Sequence, residues 1–178
     1  LTFDRASGHQ IIGHSGVAYD PWAAFTPSFN RQILETRFET VKDEIIIHQP
    51  ILPGVEDLLA TATVRGIPLG VASNSFHNHV DGHLARLGLS HFFKTVTCRD
   101  DVTNPKPEPD VYLEACHRLG VDPTACIAFE DSGPGHAAAA AAGITVVVVP
   151  NPSTRHDHFP HAERVLTSLA EFDLPTPT

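Results

Sequence analysis

Residues 51 to 150 switch repeatedly between two periodicities, and that alternation limits the fold more than any other feature of the chain. Ile67 to Ser73 is a short apolar run of the kind a buried strand needs. Phe76 to Leu87 then puts Phe76, Val80, Leu84 and Leu87 on one helical face, and Gly88 closes the segment. Lys94 to Cys98 reads as a weaker strand. Asp110 to Leu119 reads as a helix, with Val111, Ala115 and Leu119 in one stripe and Gly120 as its stop. Ala125 to Phe129 and Ile144 to Val149 are again strand-like, and His136 to Ala142 between them is a short helix of very small residues. Gly54 to Val64 forms a further helix, leading into the Ile67 strand. Continuous apolar strands separated by amphipathic helices mean an α/β protein whose parallel sheet is covered on both faces.

The flanks read differently. The first fifty residues hold no convincing strand, and helices are expected around Asp4 to Ile12 and Ser28 to Ile47, with Pro50 and Pro53 marking the join. The expected organisation is a helical remnant over 1–50 and an α/β core over 51–178. After Pro150 a short strand near Val165 and a terminal helix reaching Phe172 are expected, followed by a frayed tail.

At 178 residues the chain fits one domain, or one domain carrying a small insertion, and 42% hydrophobic residues suffice for a core. The formal charge of −9, with only 12 Lys+Arg, argues against nucleic acid and anionic membrane surfaces as partners. The longest apolar stretch, broken by Gly143, is too short for a membrane span. Cys98, Cys116 and Cys126 lack metal or redox spacing and read as reduced thiols of a cytoplasmic protein. His79 with His83, and His156, His158 and His161, read as surface histidines, because no cysteine or paired acid completes a zinc set.

In an open parallel sheet, ligands gather beyond the carboxyl ends of the strands. Ser73 and Asn74 stand at one such end and Glu130 with Asp131 at another. Lys106, in the run Asn104-Pro-Lys-Pro-Glu-Pro-Asp110, follows the weak strand. A hydroxyl, an ammonium and paired carboxylates are thus directed to one edge. Ser73 can donate to a phosphoryl oxygen, Lys106 can offset its charge, and adjacent acids suit Mg²⁺, which takes a few carboxylates plus water and phosphate. Phosphoryl transfer is largely positioning and electrostatics, so this set covers most of what it needs.

Val71-Ala-Ser-Asn-Ser75, Lys106-Pro-Glu-Pro-Asp110 and Phe129-Glu-Asp-Ser-Gly133, in that order, resemble the second, third and fourth motifs of the haloacid dehalogenase superfamily. The resemblance is to its phosphatase and β-phosphoglucomutase-like branch, and Pro53-Gly54-Val55 through Leu59 matches the helix where the cap returns to the core. It implies a Rossmann-like parallel sheet with a small helical cap. It also implies Ser73 and Lys106 as catalytic residues, Ser73, Asn74 and Lys106 on the phosphate, and Glu130 and Asp131 on Mg²⁺. The family reaction is attack by an aspartate, an aspartyl-phosphate intermediate, and transfer to water. The first family motif, which carries that aspartate, is absent. Phe3-Asp4-Arg5-Ala6-Ser7-Gly8 has Ala6 where the second aspartate belongs and no strand before Asp4. The family's first core strand would lie between those ending at Ser73 and Glu130, so the expectation is a fragment, inactive alone, with an unfilled middle in its sheet.

Glu130-Asp131 argues against a dehalogenase. Gly13-His14-Ser15-Gly16 resembles the cap loop that reads the substrate, making His14 and Ser15 candidate contacts, and Gly16 in place of a basic residue favours phosphatase over mutase. Three readings follow. The first is a Mg²⁺-dependent phosphatase of a small phosphorylated metabolite, monomeric or weakly dimeric. The second is a phosphoglucomutase-like transferase. The third is a non-catalytic phosphate-binding or interaction protein.

Overall fold

The computed structural model describes residues 30–175. Two units divide there, one ending at Ile51 and one beginning at Leu52. In the first, α1 (Arg31–Ile46) is capped by the Asn30 side chain, which accepts from the Ile33 N–H. No residue of α1 is buried, and Ile33, Phe38 and Ile45 are exposed.

The larger unit follows the expected alternation: α2 (Val55–Val64), β1 (Gly70–Ala72), α3 (His77–Arg86), β2 (Thr95–Thr97), α4 (Asp110–Leu119), β3 (Ile127–Glu130), α5 (Gly133–Ala141), β4 (Thr145–Val148) and β5 (Ala162–Val165). All strand pairs are parallel. The order is β1-β2 in one sheet and β3-β4-β5 in another. The expected gap between the strands leading to Ser73 and Glu130 therefore falls where the strands divide into two sheets.

The core lies where α4 and α5 meet β3 and β4. Val111, Tyr112 and Cys116 from α4 pack with Ala138 and Ala139 from α5 and with Ala128, Val146 and Val148 from the strands. Each fully buried valine contributes about 1.5–3 kcal/mol relative to exposure. The alanine run works as its composition suggests, since Ala138 and Ala139 have no exposed surface. The helix begins three residues earlier than the apolar pattern does. Ser132 caps it by accepting from the Gly135 N–H, and Pro134 fits its first turn, where its missing N–H costs nothing. Gly120 ends α4 at φ 74°, the left-handed geometry expected of a C-terminal glycine.

Three expectations shift at the edges. The terminal helix is a single 3₁₀ turn, Leu169–Glu171, capped by Ser168. Cys126 precedes β3 rather than lying in it, following the 3₁₀ turn Pro123–Ala125. Phe76 caps α3 and is exposed, with the Arg99 guanidinium 5.8 Å from its ring centroid. The cysteines are all free thiols. No described helix is long and apolar enough to cross a membrane.

Candidate active site

Parallel pairing puts the carboxyl ends of neighbouring strands on one edge, and the loops leaving β1, β3 and β4 converge there on a cavity of about 630 Å³. Its lining includes Ser73, Asn74, Lys106, Glu130 and Asp131, so every expected site residue within the described part of the chain reaches it. His14 and Ser15 lie outside the described residues.

Lys106 is the centre of the arrangement. Only 8% of its surface is exposed. Its Nζ donates to the Ala72 carbonyl at 2.9 Å, to Glu130 Oε1 at 2.5 Å and to the Tyr112 hydroxyl at 3.3 Å. Ala72 ends β1 and Glu130 ends β3, so one ammonium joins the ends of two sheets that share no backbone ladder. The Lys106 main chain is fixed equally firmly. Its N–H donates to Asn74 Oδ1 at 2.8 Å, and Asn74 Nδ2 donates to its carbonyl at 3.0 Å. The Lys106–Pro107 peptide is cis.

Glu130 accepts from Lys106 and from the Tyr112 hydroxyl through Oε1, and from the Asp131 N–H and the Ser132 hydroxyl through Oε2. Burial, and then the charge of Glu130, hold the Tyr112 phenol well above its usual pKa, so it remains a donor. Gly135 makes room for this carboxylate: a Cβ there would lie 1.9 Å from Glu130 Oε2. Asp131, by contrast, is exposed. Its Oδ2 accepts from Asn151 Nδ2 at 2.9 Å, and Oδ1 has no hydrogen-bond partner among the described residues. The Asn151 loop is anchored by the fully buried Thr154, whose Oγ1 donates to the Asp131 carbonyl at 2.6 Å and accepts from the Asn151 N–H at 3.1 Å.

Ser73 Oγ accepts from the Ser75 N–H at 3.1 Å, and the Ser73 N–H donates to Thr97 O at 2.9 Å, extending the β1–β2 ladder by one residue. With an acceptor position occupied, the hydroxyl retains its proton for an incoming anion. Two carboxylates at a strand end, one open to the cavity, are an all-oxygen donor set that fits a small hard cation.

A family model for haloacid dehalogenase-like hydrolases matches residues 5–143. The chain belongs to that family. YhcW of Bacillus subtilis (strain 168) is 43% identical over 122 residues, a match covering 68% of this chain and 56% of that protein. Hexitol phosphatase B of Escherichia coli (strain K12) is 36% identical over 124 residues, covering 69% and 56%. The crystal structure of a mutant CbbY from Rhodobacter sphaeroides in complex with xylulose-(1,5)bisphosphate superposes with a TM-score of 0.70 at 34% identity, covering 82% of this chain and 68% of that one. The chain thus spans little more than half of the two curated relatives.

Tyr112, Asn151 and Thr154 are the site residues that sequence reasoning missed. Tyr112 sits on the α4 face next to Val111 and reads as core. Asn151 and Thr154 lie in a polar loop after β4, and the one available signal was that the loop leaves a strand end.

Proposed function

We propose that the protein is a Mg²⁺-dependent phosphatase of small phosphomonoesters of the sugar-phosphate kind, acting through an aspartyl-phosphate intermediate. The observation that carries this reading is the cavity itself. Three separated chain segments bring a hydroxyl, an amide, an ammonium and two carboxylates to one opening, with Lys106 on one segment bonded to both of the others. Membership of the hydrolase family, similarity to a hexitol phosphatase, and a structural neighbour holding a sugar bisphosphate support it.

In this reading the Ser73 hydroxyl and the Asn74 side chain orient the phosphoryl group, and buried Lys106 offsets its charge. Glu130 keeps Lys106 in place. Asp131, with Glu130 beside it, would hold Mg²⁺, which when bound neutralises charge on phosphoryl oxygens. Asn151 fixes one Asp131 oxygen and leaves the other for the cation. Among the described residues the carboxylates lining the cavity are Glu130 and Asp131, both already assigned in this reading. In this reading residues 1–50 are the remnant of a cap and residues 51–178 are the catalytic core.

The test is hydrolysis of an aryl phosphate and of a panel of hexitol and pentose phosphates by the intact protein, with and without Mg²⁺. Lys106→Ala and Asp131→Ala are each expected to lower kcat/KM by at least about 10²-fold. Near-parental turnover in either variant, or activity unchanged by chelator, overturns the assignment.

A further inference from the structure

A second cluster of ligand-type side chains lies at the ends of β1 and β2, and none of its members lines the cavity. The chain leaves β1 through Ser73–Phe76 and enters α3 at His77. It leaves β2 at Thr97, and Cys98 caps the 3₁₀ turn Arg99–Asp101. Because β1 and β2 are adjacent and parallel, these two exits are neighbours. The His77 N–H donates to Asp100 Oδ1 across them at 3.3 Å. One ligand atom each from His77, Cys98 and Asp100 then falls within 4.8 Å of the others.

An imidazole nitrogen, a thiol sulfur and a carboxylate oxygen are a donor set suited to a borderline-soft divalent ion. Zinc binds them at about 2.3 Å to sulfur and about 2.0–2.2 Å to nitrogen and oxygen, in a tetrahedron. Tetrahedral angles at those lengths separate ligand atoms by roughly 3.3–3.7 Å, so closing the cluster takes side-chain shifts of about 1 Å. The surroundings fit as well. The imidazole is held by two carboxylates, Asp101 at 2.7 Å on Nε2 and Asp81 at 3.2 Å on Nδ1. If a metal displaces one, the other still orients the ring, the usual outer support of a zinc-bound histidine. Asp101 is fixed independently by the Cys98 N–H at 2.7 Å and by Arg118 at 2.9 Å. The Cys98 thiol is fully buried. A divalent ion is the counter-charge that would make it a thiolate.

We propose that His77, Cys98 and Asp100 form a binding site for zinc or a cation of similar softness, with solvent in the fourth position. Binding releases the thiol proton, and any imidazole proton, to solvent. The site would add a metal link between the segment after Ser73 and Asn74 and the segment before Lys106, stretches already joined by the Arg99 N–H to Ser75 carbonyl bond and the Asn74–Lys106 hydrogen bonds. It does not depend on the phosphatase reading.

The reduced, chelator-treated 178-residue protein is titrated with Co²⁺ while near-ultraviolet thiolate-to-cobalt absorption is recorded, followed by Zn²⁺ competition. Expected is a saturable band at one equivalent, bleached by Zn²⁺ and abolished by Cys98→Ser. It should persist in Cys116→Ser/Cys126→Ser, which removes the other thiols, and in His79→Ala/His83→Ala, which removes the neighbouring histidine pair. Asp100 is exposed, so Asp100→Asn should fold normally and weaken Co²⁺ binding about tenfold or more. Absence of a saturable band in the folded parent, a band that survives Cys98→Ser, or undiminished affinity in Asp100→Asn overturns the proposal.

Discussion

Removing the Glu130 carboxylate should cost this fold a large part of its stability, because it leaves the Lys106 ammonium buried without its counter-charge. The two side chains are 10% and 7% exposed and lie in contact, so solvent cannot replace the lost partner without rearrangement. Breaking such a buried pair from one side costs about 3–5 kcal/mol. The remaining Ala72 and Tyr112 contacts point to the lower end, about 3 kcal/mol. With a urea slope near 2 kcal/mol/M, the Glu130→Ala midpoint should fall by about 1.5 M. Circular dichroism followed through one urea titration measures it. Glu130→Gln keeps an acceptor and should lose less. Lys106→Met/Glu130→Leu removes both charges at once and should regain most of the loss, because apolar replacement of a buried pair is often neutral or better. A Glu130→Ala protein within about 0.5 kcal/mol of the parent would refute the reasoning, the spread expected of a neutral surface change. So would a double variant no more stable than Glu130→Ala.

Other consequences are independent of that pair. His136 is 2% exposed and its Nε2 accepts the His161 N–H at 3.0 Å. Burial, and then the nearby His161, lower its pKa below the ordinary 6.5. A histidine with a folded-state pKa below its unfolded one favours the neutral form, so stability is present above about pH 6.5 and declines as pH falls through that value. The slope should be at most about 1.4 kcal/mol per pH unit, and urea midpoints from pH 8 to 5 should flatten in His136→Gln. Gly54 has φ 85°, and a Cβ there would meet the Ala170 nitrogen at 2.2 Å. Gly54→Ala should therefore destabilise by more than about 2 kcal/mol in the same urea titration, whereas exposed Gly82, with open space at its Cβ, should tolerate alanine. Thr154→Val deletes the donor to the Asp131 carbonyl and should cost about 1–3 kcal/mol while weakening Mg²⁺ binding, read by calorimetry.

Local chemistry carried most of the fold into the sequence. Alternating periodicity placed β1 to β4 and α2 to α5, because strand and helix burial each impose their own spacing on apolar residues. Stops were legible where backbone geometry demands a particular residue, as at Gly120. That Ser73, Asn74, Lys106, Glu130 and Asp131 would meet at one opening was legible because strand ends in a parallel sheet share one edge. That the sheet would divide between the strands ending near Ser73 and Glu130 came only from the resemblance to the family, whose first core strand lies there.

Contacts between segments distant in sequence were left to the tertiary structure. Glu130 and Asp131 look alike as neighbours, yet one is buried against Lys106 and Tyr112 while the other is exposed beside Asn151. Side chains of consecutive residues leave the backbone in different directions, and only packing decides which meets a cation and which meets water. Tyr112 acquired a polar role by lying 18 residues from Glu130 in sequence and within hydrogen-bonding reach in space. His77 and Cys98, 21 positions apart, became neighbours only because β1 and β2 pair in parallel and deliver both to one edge.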